Sequence, residues 1–404
     1  MMQCKWSTAT CSCPFASPAE RTAVMWLQAL SLTDFRSYPQ ADMQFQPGVT
    51  TFVGMNGQGK TNIVEAIAYL ATLSSHRVAA DVPLIRAGCS SAVVRARVQE
   101  DDRAVSVDIQ IAERGSNKAR INQSATTRAR DILGIVRAVI FAPEDLALVR
   151  GDPADRRRFL DEIGIQRHPR LAGVRADYDK VLRQRNALLK SASASSRRNV
   201  DSTFDSTLSV WNEQLTQLGA DIVASRTELI ADLRPFVQQA YEAIAGQAQV
   251  DIAYRPSSPA IVEQISSVDA SLRERVSMAM DGDLESRAGD ELRRGVTLVG
   301  PHRDEVELML NGFPVKGYAS HGESWSMALA LRLAAADVLR SDGVDPIVIL
   351  DDVFAELDTA RRSQLAELVQ QATQVFITAA VAQDVPVELS GARFDVRMGH
   401  VEAA

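Results

Sequence analysis

The chain has 404 residues, enough to bury a sizeable core and to form more than one lobe. Its formal charge of -7 excludes an all-over basic nucleic-acid binder, though not local basic patches. No apolar run reaches the ~20 residues of a membrane helix, so no membrane association is expected. Three of the four cysteines (Cys4, Cys11, Cys13) crowd the first residues and Cys89 stands alone. That is no disulfide framework, and the chain reads as a cytoplasmic protein of a reducing compartment.

Residues 1–24 are rich in Cys, Ser and Ala, show no periodicity, and read as a disordered leader outside the fold. No second CxxC or His pair completes a metal site with their cysteines. Met25 opens a strand at 26–32 and is the candidate true start. The apolar run 49–53 then predicts a buried strand, and residues 62–73, with Ile63, Val64, Ala66, Ile67 and Leu70, predict an amphipathic helix.

Between that strand and that helix stands Gly54-Met55-Asn56-Gly57-Gln58-Gly59-Lys60-Thr61, which fits G-x-x-x-x-G-K-[ST] at every fixed position. Glycines let backbone N–H groups face phosphates, and a helix N-terminus favours negative charge. The expected nucleotide-binding set is Gly54, Asn56, Gly57, Gly59, Lys60, Thr61 and Asn62. Lys60 reaches the β- and γ-phosphates of ATP, and the Thr61 hydroxyl holds Mg²⁺. A chance glycine turn would need neither the strand nor the helix.

Alternating residues Val105, Val107, Ile109 and Ile111 predict an antiparallel strand, which 118–121 extends into a sheet. Another apolar run covers 136–141. From 151 to 294 the chain turns helical. Leu171, Val174, Tyr178, Val181 and Leu188 recur at heptad-like spacing, as do Leu208, Trp211, Leu215, Leu218 and Ile222. A polar serine-rich stretch, 191–198, separates them. Two such seams and a polar tip predict an antiparallel helical hairpin with arms of roughly 20 residues, each ~30 Å long. Arg156, Arg157, Arg158, Arg183, Arg185, Lys190, Arg197 and Arg198 give this lobe local positive charge that phosphates could use. With Asp155, Asp161, Asp177 and Asp179 among them, any single arginine is more simply read as part of a solvated face.

From 295 to 404 the pattern is α/β again. Val306, Leu308 and Leu310 alternate with Glu305, Glu307 and Met309, and Asn311-Gly312 predicts a hairpin turn. A helix at 323–340 precedes the buried strands 347–350 and 375–378. The first of these ends in Asp351-Asp352, at the carboxyl edge where α/β sheets place ligand chemistry. Asp351 is the expected second metal residue beside Thr61, acting through water. Asp352 is expected to orient or deprotonate the attacking water.

The phosphate loop and these acids flank a long helical insertion, an organisation that resembles the SMC-like branch of ABC ATPases. The expected fold is therefore α/β: an ABC-type P-loop ATPase head with an antiparallel β subdomain and an inserted α-helical lobe. Its halves are 25–150 and 295–404, and its lobe is 151–294. Ser320-His321-Gly322-Glu323 resembles the ABC signature, in which Ser320 and Gly322 would meet the γ-phosphate of a partner subunit. It also reads as an ordinary helix cap. Ala355-Glu356-Leu357-Asp358 resembles the loop that lines the ABC dimer interface.

Five segments together resemble the RecF family of bacterial recombination-mediator ATPases. They are Asp34-Phe35-Arg36-Ser37-Tyr38, the phosphate loop, Phe141-Ala142-Pro143-Glu144-Asp145-Leu146, Gly300-Pro301-His302-Arg303-Asp304-Glu305, and Leu350 to Asp358. The resemblance departs at Asp34, where the family often has asparagine, and after Gly322, where it usually has Gln and a basic residue. It implies an ATP-dependent homodimer that binds DNA, favouring duplex and duplex–single-strand junctions at gaps. It implies cooperation with RecR and RecO in loading recombinase, and slow, DNA-dependent hydrolysis that resets the clamp. Competing readings are the nucleotide-binding subunit of another ABC-type assembly, a P-loop kinase and an SMC-like structural protein. The helical insertion disfavours the first, the signature-like Ser320-Gly322 the second, and the short arms the third.

Overall fold

The computed structural model describes residues 24–194 and 202–404. The predicted leader and the end of the serine-rich stretch, with Arg197 and Arg198, lie outside the described residues.

Strands β1 (Met25–Phe35) and β2 (Tyr38–Gln44) form a hairpin, and β3 (Gly48–Val53) runs into the glycine loop and helix α1 (Lys60–Thr72). Strands β4 (Ser91–Glu100), β5 (Arg103–Ala112), β6 (Lys118–Ile121) and β7 (Thr127–Arg128) extend the hairpin into an antiparallel sheet ordered β2-β1-β4-β5-β6-β7. Strand β8 (Ala138–Phe141) leads to the short helix α2 (Leu146–Arg150).

The insertion begins with α3 (Pro153–Arg167), α4 (Arg170–Ala194) and α5 (Ser202–Ala245). Strand β9 (Val250–Arg255), α6 (Pro259–Gln264) and α7 (Leu272–Arg294) follow. After it come β10 (Glu305–Leu310), β11 (Phe313–Pro314), the single turn α8 (Val315–Tyr318) and α9 (His321–Ser341). The chain ends with β12 (Ile347–Asp351), α10 (Thr359–Val369), β13 (Gln374–Ala379), β14 (Ala392–Arg397) and β15 (His400–Ala403).

The second large sheet is ordered β15-β14-β3-β13-β12-β8, so strands that precede the insertion and strands that follow it are interleaved in it. From β14 to β8 every pairing is parallel. Both faces of β8, β12 and β13 are covered, which is why these strands read as nearly unbroken apolar runs. Ile347 and Ile349 join the core under α1 and the antiparallel sheet, while Val348 and Leu350 join the core under the helices. α1 is consequently buried along most of its length.

The insertion differs from the expected hairpin in four ways. It contains a strand, β9, whose buried Val250, Ile252 and Tyr254 alternate; it pairs with β10, giving a third sheet ordered β11-β10-β9. The predicted turn at Asn311-Gly312 joins β10 to β11, with both residues at positive φ. The arms are unequal, at 25 residues in α4 and 44 in α5, and the polar residues 191–194 continue α4 rather than turning. Finally, α7 joins the pair: Leu284 packs with Tyr178 and Val181 of α4 and Leu215 and Ile222 of α5.

The heptad position between Val181 and Leu188 is Arg185, a side chain only 1% exposed. Its guanidinium donates to Glu291 (2.6 Å), Thr297 (2.8 Å) and Asn212 (2.8 Å), joining all three helices and the strand of chain after α7. A buried charge stranded by loss of its partner costs roughly 3–5 kcal/mol, whereas replacing both members with apolar residues is often neutral. Arg185→Ala should therefore lower the urea midpoint by that scale of stability, and Arg185→Met with Glu291→Leu should recover most of it.

Arg185 is thus removed from the candidate phosphate contacts, and so is Arg156. Arg156 is buried, its guanidinium paired with both Glu305 oxygens at 2.7 Å. Arg157 donates to the Asp304 carbonyl at 2.6 Å. Arg183 and Lys190 remain exposed.

Candidate nucleotide site

β3 delivers the glycine loop to the carboxyl edge of the parallel sheet, and α1 carries it away. Gly54 lies against the Val396 carbonyl, so a side chain there would collide with backbone. Gly57 and Gly59 have φ of +81° and +113°, the left-handed region that glycine enters freely. A Cβ on Gly59 would also lie 2.8 Å from the Tyr38 hydroxyl and 2.9 Å from that of Ser37.

Lys60 opens α1 and is 3% exposed; its ammonium folds back toward the Asn56 side-chain oxygen (3.3 Å) and the Met55 carbonyl (3.4 Å). Both contacts are long, which leaves the charge available to an anion seated over the loop. The hydroxyl of Thr61 donates to Asp351 Oδ1 at 3.0 Å, closing the long sequence separation between loop and strand. Asn62 donates to Ser37 (2.9 Å) and accepts from Arg77 (3.1 Å).

Asp351 is buried, and its Oδ1 also accepts from Thr378 at 2.7 Å. Thr378 sits on the neighbouring β13, and its oxygen receives the Asp352 N–H at 2.9 Å. Asp352 has φ +51° and turns into a cleft of about 230 Å³ lined by Asn56, Gly57, Gly59, Lys60, Thr61, Asn62 and Arg77. Burial holds the Asp352 carboxyl above the usual carboxylate range; Lys60 opposes this and Asp351 adds to it.

Of the sequence-predicted residues, the loop, Asp351 and Asp352 thus come together, with Gly54 behind the cleft. Ser320 and Gly322 do not line it. Ser320 caps α9, accepting the Glu323 N–H at 3.2 Å while Glu323 returns to its N–H at 2.7 Å. Gly322 faces the guanidinium of Arg361, 3.1 Å from where a Cβ would stand. Arg361 also reaches Ser326 (3.0 Å) and pairs with Asp358, so it ties the signature-like helix to the loop ending in Asp358.

Several neighbours escape a reading of local pattern. Tyr38 donates to the Gly59 carbonyl (3.1 Å), and Arg36 pairs with the fully buried Glu65 of α1 (2.6 Å), so the β1–β2 turn braces the loop. Gln58 accepts from the Met398 N–H at 2.6 Å, and the β14–β15 turn thereby holds the loop from the other side. Arg77 reaches the cleft from beyond α1. Of these, only the β1–β2 turn had a signal, in the segment Asp34 to Tyr38.

The segments Phe141 to Leu146 and Gly300 to Glu305 act as structural fasteners. Asp145 accepts the Ala142 N–H (2.9 Å) and pairs with Arg332 of α9 (2.6 Å). Asp304 accepts from Tyr254 (2.5 Å) and from the Ser257 N–H (2.8 Å), and burial raises its pKa. His302 Nδ1 lies 2.7 Å from the Tyr178 hydroxyl, and burial first of all depresses its pKa from 6.5 to about 4. The unfolded chain therefore binds this proton first, and stability falls as pH drops from 6.5 towards 4. His302→Asn should flatten that part of a melting-temperature profile against pH.

A strand, phosphate-cradling loop and helix, an acid-ending parallel strand beside them, an antiparallel flank and a helical insertion define an ABC-type P-loop ATPase head. The RecF/RecN/SMC N terminal domain family matches residues 26–393. DNA replication and repair protein RecF of Streptomyces avermitilis is 52% identical over 379 residues, covering 94% of this chain and all (100%) of that one. RecF of Frankia alni is 53% identical over 378 residues, 93% of this chain and 99% of the other. The chain belongs to the RecF family of DNA replication and repair proteins.

Among solved structures, the recombination mediator protein RecF-ATPrS in the RecFOR pathway superposes with a TM-score of 0.84 at 26% identity, covering 95% of this chain and 99% of that one. An Smc head domain derived from Pyrococcus furiosus shares the fold alone, with a TM-score of 0.53 at 15% identity over 94% of this chain and 96% of that one.

Proposed function

We propose that the chain is an ATP-dependent DNA clamp of recombinational repair and replication restart. ATP binds with its phosphates over Gly54, Asn56, Gly57, Gly59, Lys60, Thr61 and Asn62. The observation that carries this reading is the meeting of Thr61 with Asp351 beside Lys60 and Asp352 at one cleft. A buried carboxylate and a hydroxyl 3.0 Å apart are hard oxygen donors of the kind Mg²⁺ takes, so the pair fits that ion. Bound there, Mg²⁺ would neutralise phosphate charge.

Asp352 orients the water that attacks the γ-phosphorus and accepts its proton, while the bond to the bridging β–γ oxygen breaks. Ser320 and Gly322, absent from the cleft of their own chain, serve the nucleotide of a second copy. ATP then bridges two chains, and its hydrolysis weakens the dimer. The kinship with the RecFOR-pathway protein supports RecR and RecO as partners. The DNA on which the dimer helps load recombinase is gapped duplex. The activity is a slow, DNA-dependent ATPase in the cytoplasm.

The test is light-scattering mass of the Asp352→Asn protein with and without ATP and Mg²⁺, with gapped duplex added in parallel. A doubled mass that retains the DNA is expected. A monomer indifferent to ATP and DNA would overturn the clamp reading.

A further inference from the structure

His76 follows α1 and is 9% exposed, and neither ring nitrogen has a hydrogen-bond partner. Buried polar atoms of native proteins are rarely left so, because an unsatisfied group costs roughly 1–3 kcal/mol. Two features of its surroundings say what the ring is for. Nε2 points at Asp351 Oδ2 across 3.7 Å, just beyond hydrogen-bond range. Asp351 presents its other oxygen to both Thr61 and Thr378, leaving Oδ2 with no hydrogen-bond partner among the described residues. The ring also borders a cavity of about 30 Å³ behind α1, whose polar lining includes Thr72, Ser74, Glu162 and Gln166. That is room for an ordered water to satisfy the second nitrogen.

We propose that His76 is a positioning residue for Asp351. Its Nε2–H donates to Oδ2 once the site closes on nucleotide, and so fixes the rotation of the carboxylate. Oδ1 is then held toward Thr61, and these two oxygens are the ones that would hold the cation. His76 acts through Asp351 and touches neither nucleotide nor metal. Groups that orient a ligating side chain in this way are typically worth 10- to 100-fold in metal affinity. The inference rests on the nucleotide and Mg²⁺ reading above.

The experiment titrates Mg²⁺ against a fluorescent, non-hydrolysable ATP analogue, followed by anisotropy, in the full chain. His76→Phe keeps a ring and removes both nitrogens. It should raise the Mg²⁺ midpoint by about tenfold or more. Binding in EDTA and the melting temperature of the nucleotide-free protein should not change. His76→Gln, which restores a donor near the place of Nε2, should return the midpoint to within about threefold of wild type. His76→Met lacks a donor but packs adaptably, and makes the same test if the phenyl ring prevents folding. An unchanged midpoint in the donorless variants overturns the proposal. So does an equal loss in EDTA, or a Gln variant no better than Phe. A wild-type protein whose binding ignores Mg²⁺ overturns the metal reading beneath it, a result distinct from these.

Discussion

Asp352→Asn should bind ATP as the wild type does and release phosphate about 10²- to 10⁴-fold more slowly, the usual contribution of a positioned general base. The geometry separates the two effects. Asp352 lines the cleft but has no donor to offer phosphates, which on the proposed reading fall to Lys60 and the N-terminus of α1. Its backbone N–H, held by Thr378, survives the substitution, so the turn at φ +51° should too. The amide keeps the shape of the carboxylate and loses its capacity to take a proton. Single-turnover phosphate release, set beside nucleotide affinity, checks this. Equal loss of affinity and rate would make Asp352 a binding residue and leave the base unassigned.

Ser320→Arg should abolish ATP-dependent doubling of mass while nucleotide affinity stays within about threefold of wild type. Ser320 is exposed at the first turn of α9, and its own chain's cleft does not include it. Losing the cap costs about 1 kcal/mol, and a cation at a helix N-terminus about 0.3–1 kcal/mol more. α9 has 21 residues, most of them buried, so the fold should absorb both. An arginine cannot be absorbed where, on the proposed reading, a second chain brings its nucleotide's phosphates against that helix end. Light-scattering mass with ATP and Mg²⁺, alongside a binding isotherm, gives both readings. A variant that still doubles its mass removes Ser320 and Gly322 from the partner's nucleotide.

Both substitutions fall on residues that local pattern marks and to which the proposed function gives a role. Phosphate cradling imposes local demands: a strand, glycines at positive φ, a lysine and a hydroxyl at a helix start. Those demands leave a contiguous signature at 54–61. A buried parallel strand ending in acids is nearly as plain, because apolar residues on both faces admit few other readings. The cap at Ser320 and the hairpin at Asn311-Gly312 are local too.

What escaped is what depends on distant chain. Heptad spacing marked the seams of α4 and α5 but passed over Arg185, since a charge on a seam is tolerable only when Glu291 and Thr297 arrive from far along the sequence. The alternation in β9 was short and ringed by helices, and becomes a strand only because β10 offers its edge. Clustered arginines looked alike as charges; which of them face water was decided by Glu305 and Glu291.

The chemistry of the site, its loop, its acids and its helix end, follows from nearest-neighbour pattern, because each motif satisfies its backbone and its ligand within a few residues. The assembly of that chemistry does not. Thr61 meets Asp351 because β13 inserts between β3 and β12 and sets the register of both. Likewise the β1–β2 turn and the β14–β15 turn converge on the loop only through strand order. Strand order is won by burying both faces of one sheet, a property of the whole chain that no single segment carries.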